Sequence, residues 1–404
     1  MAAPAPIACV VPGDVAAFIA GGGRDAELDR VPAAAGLAAG AVVRLEDDRG
    51  EELGLALVDS DNRKLRVMVT AAEGFPRVDG ALCGWRVERA LRWRKALGVV
   101  GAPGSDESYR VLHGAGDGVP GFTCDVLGAH AVLYAYAPAL LPTARLLAEA
   151  VRGFVLGGQG SVVIKVRARG GASDVAQEVV GAAPPERYVA HEHGVPFEIH
   201  PHGGLNVGLF TDMREQRRPG AGLARFVGGQ RVLNLFSYTG ALSVAAARAG
   251  AAQVVSVDTS AGVQAWAQGN FVRAGLGEDG KRWRFETGDA QRFLERAVKT
   301  KERHDVVLID PPTFSPARGT PWTLERDYPP MIAAAAQVVG EGGLLWLAAN
   351  SHELGAIGKL VQKGLKAAGR TGVIVEQAGL PPEYPTVAAQ GRDRYLQIVV
   401  VRVG

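Results

Sequence analysis

Cysteine is nearly missing from this 404-residue chain: there are three, Cys9, Cys83 and Cys124, and none follows Cys124. They lie too far apart in sequence to read as a disulfide framework or a four-cysteine metal site, and a reducing cytoplasm suits them. An excess of one charge is missing too. Forty-four Lys plus Arg face 42 Asp plus Glu, a net charge of +2, so any attraction for a polyanion has to come from local patches. Long apolar runs are scarce. The stretch 7–20 is interrupted by Asp14 and lacks a basic leader, which excludes a signal peptide and a membrane span as its reading. No repeat of useful period occurs, and no low-complexity tract exceeds the patch Gly21 to Gly23.

What is present is length enough for two or three domains and, in the second half, strands alternating with helices. Residues 231–240, RVLNLFSYTG, run from an apolar strand into a tight turn, and a small-residue helix follows over 241–249. A second strand, 253–257, closes on Asp258, and Ser260 caps the next helix, which carries Trp266 and Asn270. An acid at that strand end is placed to accept from ribose hydroxyls. The turn has one glycine, Gly240, where a pyrophosphate needs three, so a smaller nucleoside ligand is expected. Further strands are expected at 284–287, followed by Gly288 and Asp289, at 305–310 and at 343–349. An antiparallel edge pair is expected from 373–377 and 394–401. The fourth of these strands ends in LIDPPTF, residues 308–314. Pro311 and Pro312 cannot donate to a sheet ladder, so the chain leaves the sheet there as a stiff ledge beside Asp310.

NLFSYTG, VVSVD, ETGD and LIDPPTF stand in the order found in class I S-adenosylmethionine-dependent methyltransferases, and the stretch from 201 onward resembles that family. The resemblance implies a C-terminal Rossmann-like, seven-stranded α/β domain over 201–404 that binds S-adenosylmethionine. Asn234, Phe236, Ser237, Tyr238, Thr239 and Gly240 would form the cofactor loop. Asp258 would hold the ribose and Asp289 the adenine, with Ser260 and Asn270 nearby. Asp310 would lie between cofactor and substrate, on a catalytic segment made of Asp310, Pro311, Pro312, Thr313 and Phe314.

Residues 42–70 alternate in strand fashion around an Asp-Arg-Gly turn and are similar to the PUA domain, a small β-rich RNA-binding module; a structural β cap is the alternative. Over 84–97, GWRVERALRWRKAL, the residues Arg86, Arg89, Arg92, Arg94 and Lys95 crowd one helix with Trp85 and Trp93. Cations with flat side chains suit phosphates and unpaired bases, and a solvated charged face is the alternative. YRVLHGAGDGVPGFTCD (109–125) and GLFTDMREQRR (208–218) extend the likeness to nearly the whole chain. It resembles the RlmI-like large-subunit rRNA methyltransferases: a PUA-like domain (1–75), a central α/β domain (76–200) and the methyltransferase domain. That likeness places Asp212, Arg214 and Arg217 beside the cofactor pocket. It implies RNA, 23S rRNA in particular, as partner, a cytoplasmic location, no membrane, and leaves a homodimer open. His191, His193, His200 and His202 form two His-x-His pairs, but no carboxylate or cysteine frame accompanies them and no metal is expected.

Carbon-5 methylation of cytosine needs a thiolate that adds to the ring. The RlmI-like enzymes carry that cysteine after the fifth strand, where LLWLAANSHEL (344–354) aligns most simply with Ala349 at its place. DPPTFS and the Asn350-Ser351 pair resemble instead the guanine-N7 methyltransferase domain of RlmKL. Guanine N7 already has an in-plane lone pair, so positioning suffices there; an exocyclic nitrogen is a further candidate, with Asp310 taking the proton. A non-catalytic RNA-binding assembly factor is the reading from another class.

Overall fold

The computed structural model describes residues 6–101, 107–167, 177–312, 323–351 and 357–404, apart from the side chain of Arg392. The chain divides into two compact units. One comprises Met1–Glu192, Ile199–Val207 and Pro382–Asp393; the other comprises His193–Glu198, Gly208–Pro381 and Arg394–Gly404.

The first unit holds two five-stranded sheets. β1 (Ile7–Val10), β2 (Asp25–Glu27), β3 (Val42–Glu46), β4 (Glu52–Asp59) and β5 (Lys64–Thr70) lie in the order β1-β3-β4-β5-β2, with helices α1 (Gly13–Ala20) and α2 (Pro32–Ala35) between them in sequence. The β3–β4 turn closes because one Asp47 oxygen accepts the N–H groups of Arg49 and Glu51, at 2.9 and 2.8 Å, while Gly50 takes a left-handed φ of 81°. Helix α3 (Gly80–Ala96) starts at Asp79, whose carboxylate accepts from the amides of Ala81 and Leu82. It packs with α4 (Leu141–Phe154) against β6 (Ser108–His113), β7 (Phe122–Leu127), β8 (His130–Ala135), β9 (Val162–Val166) and β10 (Gln177–Val180), whose order is β10-β9-β8-β7-β6. β11 (Tyr188–Glu192) and β12 (Val195–Ile199) follow in sequence.

The second unit is a seven-stranded sheet. β13 (Arg231–Leu235), β14 (Gln253–Asp258), β15 (Trp283–Thr287), β16 (His304–Ile309), β17 (Val339–Asn350), β18 (Gly372–Gly379) and β19 (Leu396–Val403) lie in the order β15-β14-β13-β16-β17-β19-β18. The first five in that order are parallel, and β19 runs antiparallel to both its neighbours. Helix α5 (Ala224–Val227) precedes β13, and helices α6 (Ala241–Arg248), α7 (Ala261–Arg273), α8 (Ala290–Thr300), α9 (Leu324–Val338) and α10 (Gly358–Ala367) lie between successive strands from β13 to β18. The winding reverses between β13 and β16, so the loops leaving those two strands diverge and open a crevice at the carboxyl edge.

Strand side chains alternate between faces, and the two faces differ in chemistry. Leu235, Val257, Val307, Ile309, Leu345, Leu347 and Ala349 share one apolar core with residues of α8, α9 and α10. On the opposite face Trp346 donates to Gln216, and Asn234, Ser243 and Ser256 form a buried hydrogen-bonded chain. At the sheet's other end, buried His304 has no hydrogen bond to either ring nitrogen, the Glu302 carboxylate lying 3.6 Å off. Burial pushes its pKa down to about 4, with Glu302 opposing. The folded state therefore refuses a proton that the unfolded chain takes from pH 6.5 downward. Stability is expected to fall between pH 6.5 and 4 by up to about 3 kcal/mol, and His304→Leu should flatten that part of a pH–melting curve.

Candidate active site

The loop after β13 is held in an unusual conformation. Phe236, Tyr238 and Gly240 have φ values of 59°, 47° and 78°, so every second residue is left-handed and two of the three are bulky aromatics. Each non-glycine in that region costs about 1–3 kcal/mol and persists only where its surroundings impose it. Here they do. Ser237 N–H donates to Val257 O at 3.0 Å, Tyr238 N–H to the Asp258 carboxylate at 3.0 Å, Thr239 Oγ1 to Gly208 O at 2.6 Å, and Asn270 Nδ2 to Thr239 O at 2.9 Å. Gly240 also has little room for a side chain, since a Cβ would lie 3.0 Å from that of Ala267. The Ser237, Tyr238 and Gly240 N–H groups are spent within the protein, Gly240 N–H on Ser237 O at 2.9 Å, so the strained turn serves to fix the strand exit and the Asp258 carboxylate.

Asp258 accepts from Tyr238 N–H through one oxygen and from Ser260 N–H, at 3.1 Å, through the other. Its carboxylate is thereby pre-oriented at the strand end, with a lone pair left on each oxygen for a diol. The other expected cofactor residues divide. Ser260 and Asp289 cap α7 and α8, accepting from Val263 and Arg292 amides at 3.3 and 3.0 Å, and Asp289 remains exposed at the crevice edge. Asn234 and Asn270 require correction, because both are buried with their side-chain amides turned inward. Asn234 donates to Ser243 at 2.8 Å, and Asn270 ties Thr239 O to Glu198 N–H, at 2.9 Å each; they brace the loop from behind.

On the Trp346 face of the sheet lies a 3-10 segment, η5 (Thr211–Arg217), which carries Asp212, Arg214 and Arg217 and brings Asp212 and Arg217 within electrostatic reach of Asp310 at the exit of β16. Three residues make one turn of such a helix, so Arg214 and Arg217 stack on the same side. Arg217 donates to Phe210 O at 2.6 Å, and Asp212 accepts from the Tyr395 hydroxyl at 3.2 Å. Asp310, half-buried, follows Ile309 and by alternation faces this segment. Burial, and next the Asp212 carboxylate, push its pKa up to about 7 against the pull of Arg217. Pro311 is buried and Pro312 exposed; Thr313 and Phe314 lie outside the described residues. Tyr328 of α9 was not foreseen: its buried hydroxyl reaches Ala348 O at 2.7 Å and Ile309 O at 3.0 Å and so locks the exits of β16 and β17 together. Gly208 was not foreseen either. A Cβ there would meet Trp266 at 2.4 Å, and only glycine lets its carbonyl reach Thr239.

Ala349, expected at the nucleophile's place, is fully buried under α9 and α10. A thiol at 349 would be sealed in the core. Its neighbour Asn350, half-buried, has the parity of Trp346 and Asp310 and so belongs to the sheet face that carries η5. Ser351 follows at the strand exit, and His352 lies outside the described residues. All three cysteines belong to the first unit and are fully buried, and burial raises each thiol, Cys83 to about 12. His193 and His202 place their Nε2 atoms at 3.1 and 3.2 Å from the carbonyls of Arg214 and Pro184.

The basic helix α3 also needs correction. Arg86 and Arg94 are buried and committed: Arg86 grips Glu73 at 2.6 and 2.7 Å, and Arg94 makes a two-pronged contact with Asp117 at 2.5 and 2.7 Å. Burial alone would raise the Glu73 carboxyl, but hydrogen bonds from Arg86 and Thr70 prevail and hold it down to about 2. Arg89, Arg92 and Lys95 remain exposed, with Trp93 47% exposed among them. Charge count along a helix cannot tell these two groups apart.

A family model described as S-adenosylmethionine-dependent methyltransferase matches residues 147–397, more than half of the chain. The chain is 28% identical over 376 residues to ribosomal RNA large subunit methyltransferase I of Klebsiella pneumoniae (strain 342), covering 90% of each. The same figure holds over 381 residues for the Escherichia coli (strain K12) protein of that name, with 90% of this chain and 94% of that one covered. In fold it is similar to SMU.776, solved in complex with SAH, at a TM-score of 0.85 and 22% identity over 98% of this chain and all of the other. A second structure, from Streptococcus mutans, gives 0.83 at 21% identity, covering 98% and 100%.

Proposed function

Because the chain belongs to the S-adenosylmethionine-dependent methyltransferase family, we propose that it methylates a base nitrogen of large-subunit (23S) ribosomal RNA in the cytoplasm, with guanine N7 as the favoured acceptor. The relatives' names support the ribosomal substrate. The observation that carries the nitrogen acceptor is the grouping of Asp310 with Asp212 and Arg217 in a domain whose sequence has no cysteine after Cys124. Cytosine C5 would need a nucleophile in that position, whereas a ring nitrogen with its own lone pair needs only alignment.

When bound, S-adenosylmethionine supplies an electrophilic methyl group on a sulfonium. The residues present fit it: Asp258 offers two fixed oxygens to the ribose, and the guanidiniums of Arg214 and Arg217 suit its carboxylate end. Asp289 would accept from the adenine amine. Asp310 would hold an N–H of the acceptor base, with the Pro311-Pro312 ledge limiting its tilt. The exposed Arg89, Arg92, Trp93 and Lys95 would contact RNA phosphates and unpaired bases.

Titration calorimetry checks the cofactor half. Asp258→Ala should weaken S-adenosylmethionine binding roughly 10- to 100-fold, and Asp258→Asn, which keeps one acceptor oxygen, should fall between. Equal affinity in all three would remove Asp258 from the pocket. For the substrate half, rRNA from a deletion strain is incubated with enzyme and labelled cofactor, then digested to nucleosides for mass spectrometry. A single labelled 7-methylguanosine is expected; label at cytosine C5, or none, would overturn the assignment.

A further inference from the structure

We propose that Phe210 is the stacking platform for the acceptor base, a role that rests on the RNA reading above. Among the described phenylalanines of the second unit it is the exposed one, with 45% of its surface in solvent. It is nevertheless rigidly seated. Two residues before it, the Gly208 carbonyl accepts from Thr239 Oγ1 at 2.6 Å, and its own carbonyl accepts from Arg217 at 2.6 Å. The ring rests on that of Tyr238, with centroids 5.1 Å apart and planes tilted by 43°. Two residues after it comes Asp212, the acid that faces Asp310. Phe210 therefore lies between the strained loop that ends on the Asp258 carboxylate and the carboxyl cluster at the ledge.

A flat apolar face kept in water by backbone bonds on both sides is preorganised to receive another flat ring. Asp310 can fix the edge of a base and the prolines limit its tilt, and a stacked ring would cover a face. A ring beside them supplies a face and tolerates any base, so edge contacts, and not Phe210, would choose which base reacts.

The test uses the full-length protein, a 23S rRNA transcript and labelled S-adenosylmethionine. Phe210→Leu should lower kcat/KM for RNA roughly 10- to 100-fold, mainly through KM, while leaving cofactor affinity by calorimetry unchanged. Phe210→Tyr and Phe210→Trp, which keep a flat face, should restore most of the loss. A fall in cofactor affinity that matches the fall in kcat/KM would assign the ring to the cofactor and overturn the proposal. Unchanged kcat/KM in Phe210→Leu, beside an active wild type, would also overturn it while leaving the RNA reading intact. A wild type that binds cofactor but transfers no methyl to rRNA would sink the RNA reading, and the platform with it.

Discussion

Asp310→Asn is expected to cut methyl transfer about a hundredfold or more while making the protein harder to melt. The two effects share one cause. Burial and the neighbouring Asp212 push the Asp310 carboxyl up to about 7 from an ordinary 3.8. A carboxyl that holds its proton more tightly folded than unfolded costs stability progressively as pH rises through that window, and above pH 7 the full cost is present. Removing the charge recovers it. Allowing for the partly exposed setting, the gain at pH 8 is about 2 kcal/mol, a rise of several degrees in Tm. Activity moves the other way, because an ionised Asp310 accepts a base N–H and an amide oxygen does so more weakly.

The pH dependence sharpens that expectation. If the ionised form is the working one, kcat/KM of the wild type rises about tenfold per unit below pH 7 and levels off above it, whereas Asp310→Asn is low and flat. A wild-type profile without a bend near 7 would remove Asp310 from the chemistry. A variant that is both inactive and less stable would assign it to the fold instead. Asp212→Asn offers a second check: with the like charge gone, the bend should move to lower pH.

The parts of the fold legible in the sequence were those written in local chemistry. Alternating apolar residues that stop at Asp258, or at Asp310 before two prolines, mark strand exits wherever the rest of the chain goes, and Ser260 and Asp289 announce helix starts by their own side chains. Direction was not legible. Asn234 and Asn270 sit in the right segments, yet their side chains turn to the back of the loop, a fact set by α6, α7 and β12. The parity of β17 is a similar case. An alignment of LLWLAANSHEL assigns the nucleophile's place to Ala349, but Ala349 packs into the apolar core while Trp346 reaches Gln216 on the η5 side, the face that Asn350 shares by parity. Tyr328 left no local signal, since a tyrosine on an apolar helix face looks the same whether or not its hydroxyl finds two carbonyls.

The same blindness to direction in α3 yields the second large prediction, a loss of stability in Arg94→Ala of about 3–5 kcal/mol. Arg94 has no exposed surface, and its guanidinium holds both Asp117 oxygens, Arg110 O at 3.0 Å and Glu383 O at 2.6 Å. Truncation leaves the Asp117 carboxylate buried beside a void, with the His113 amide, at 2.6 Å, still donating to it. It also unties the Pro382–Asp393 segment, which belongs to the first unit although it lies between β18 and β19 in sequence. Arg94→Lys should recover little, because an ammonium cannot form the two-pronged contact. Arg89→Ala, five residues earlier on the same helix and exposed, should change stability by less than about 0.5 kcal/mol. Its effect should fall instead on RNA affinity and on the salt dependence of that affinity, whose slope should drop by about one. Chemical denaturation and RNA binding across a salt series separate the two arginines. If Arg94→Ala melts normally but binds RNA weakly, its side chain reaches the nucleic acid and the ion pair with Asp117 is dispensable.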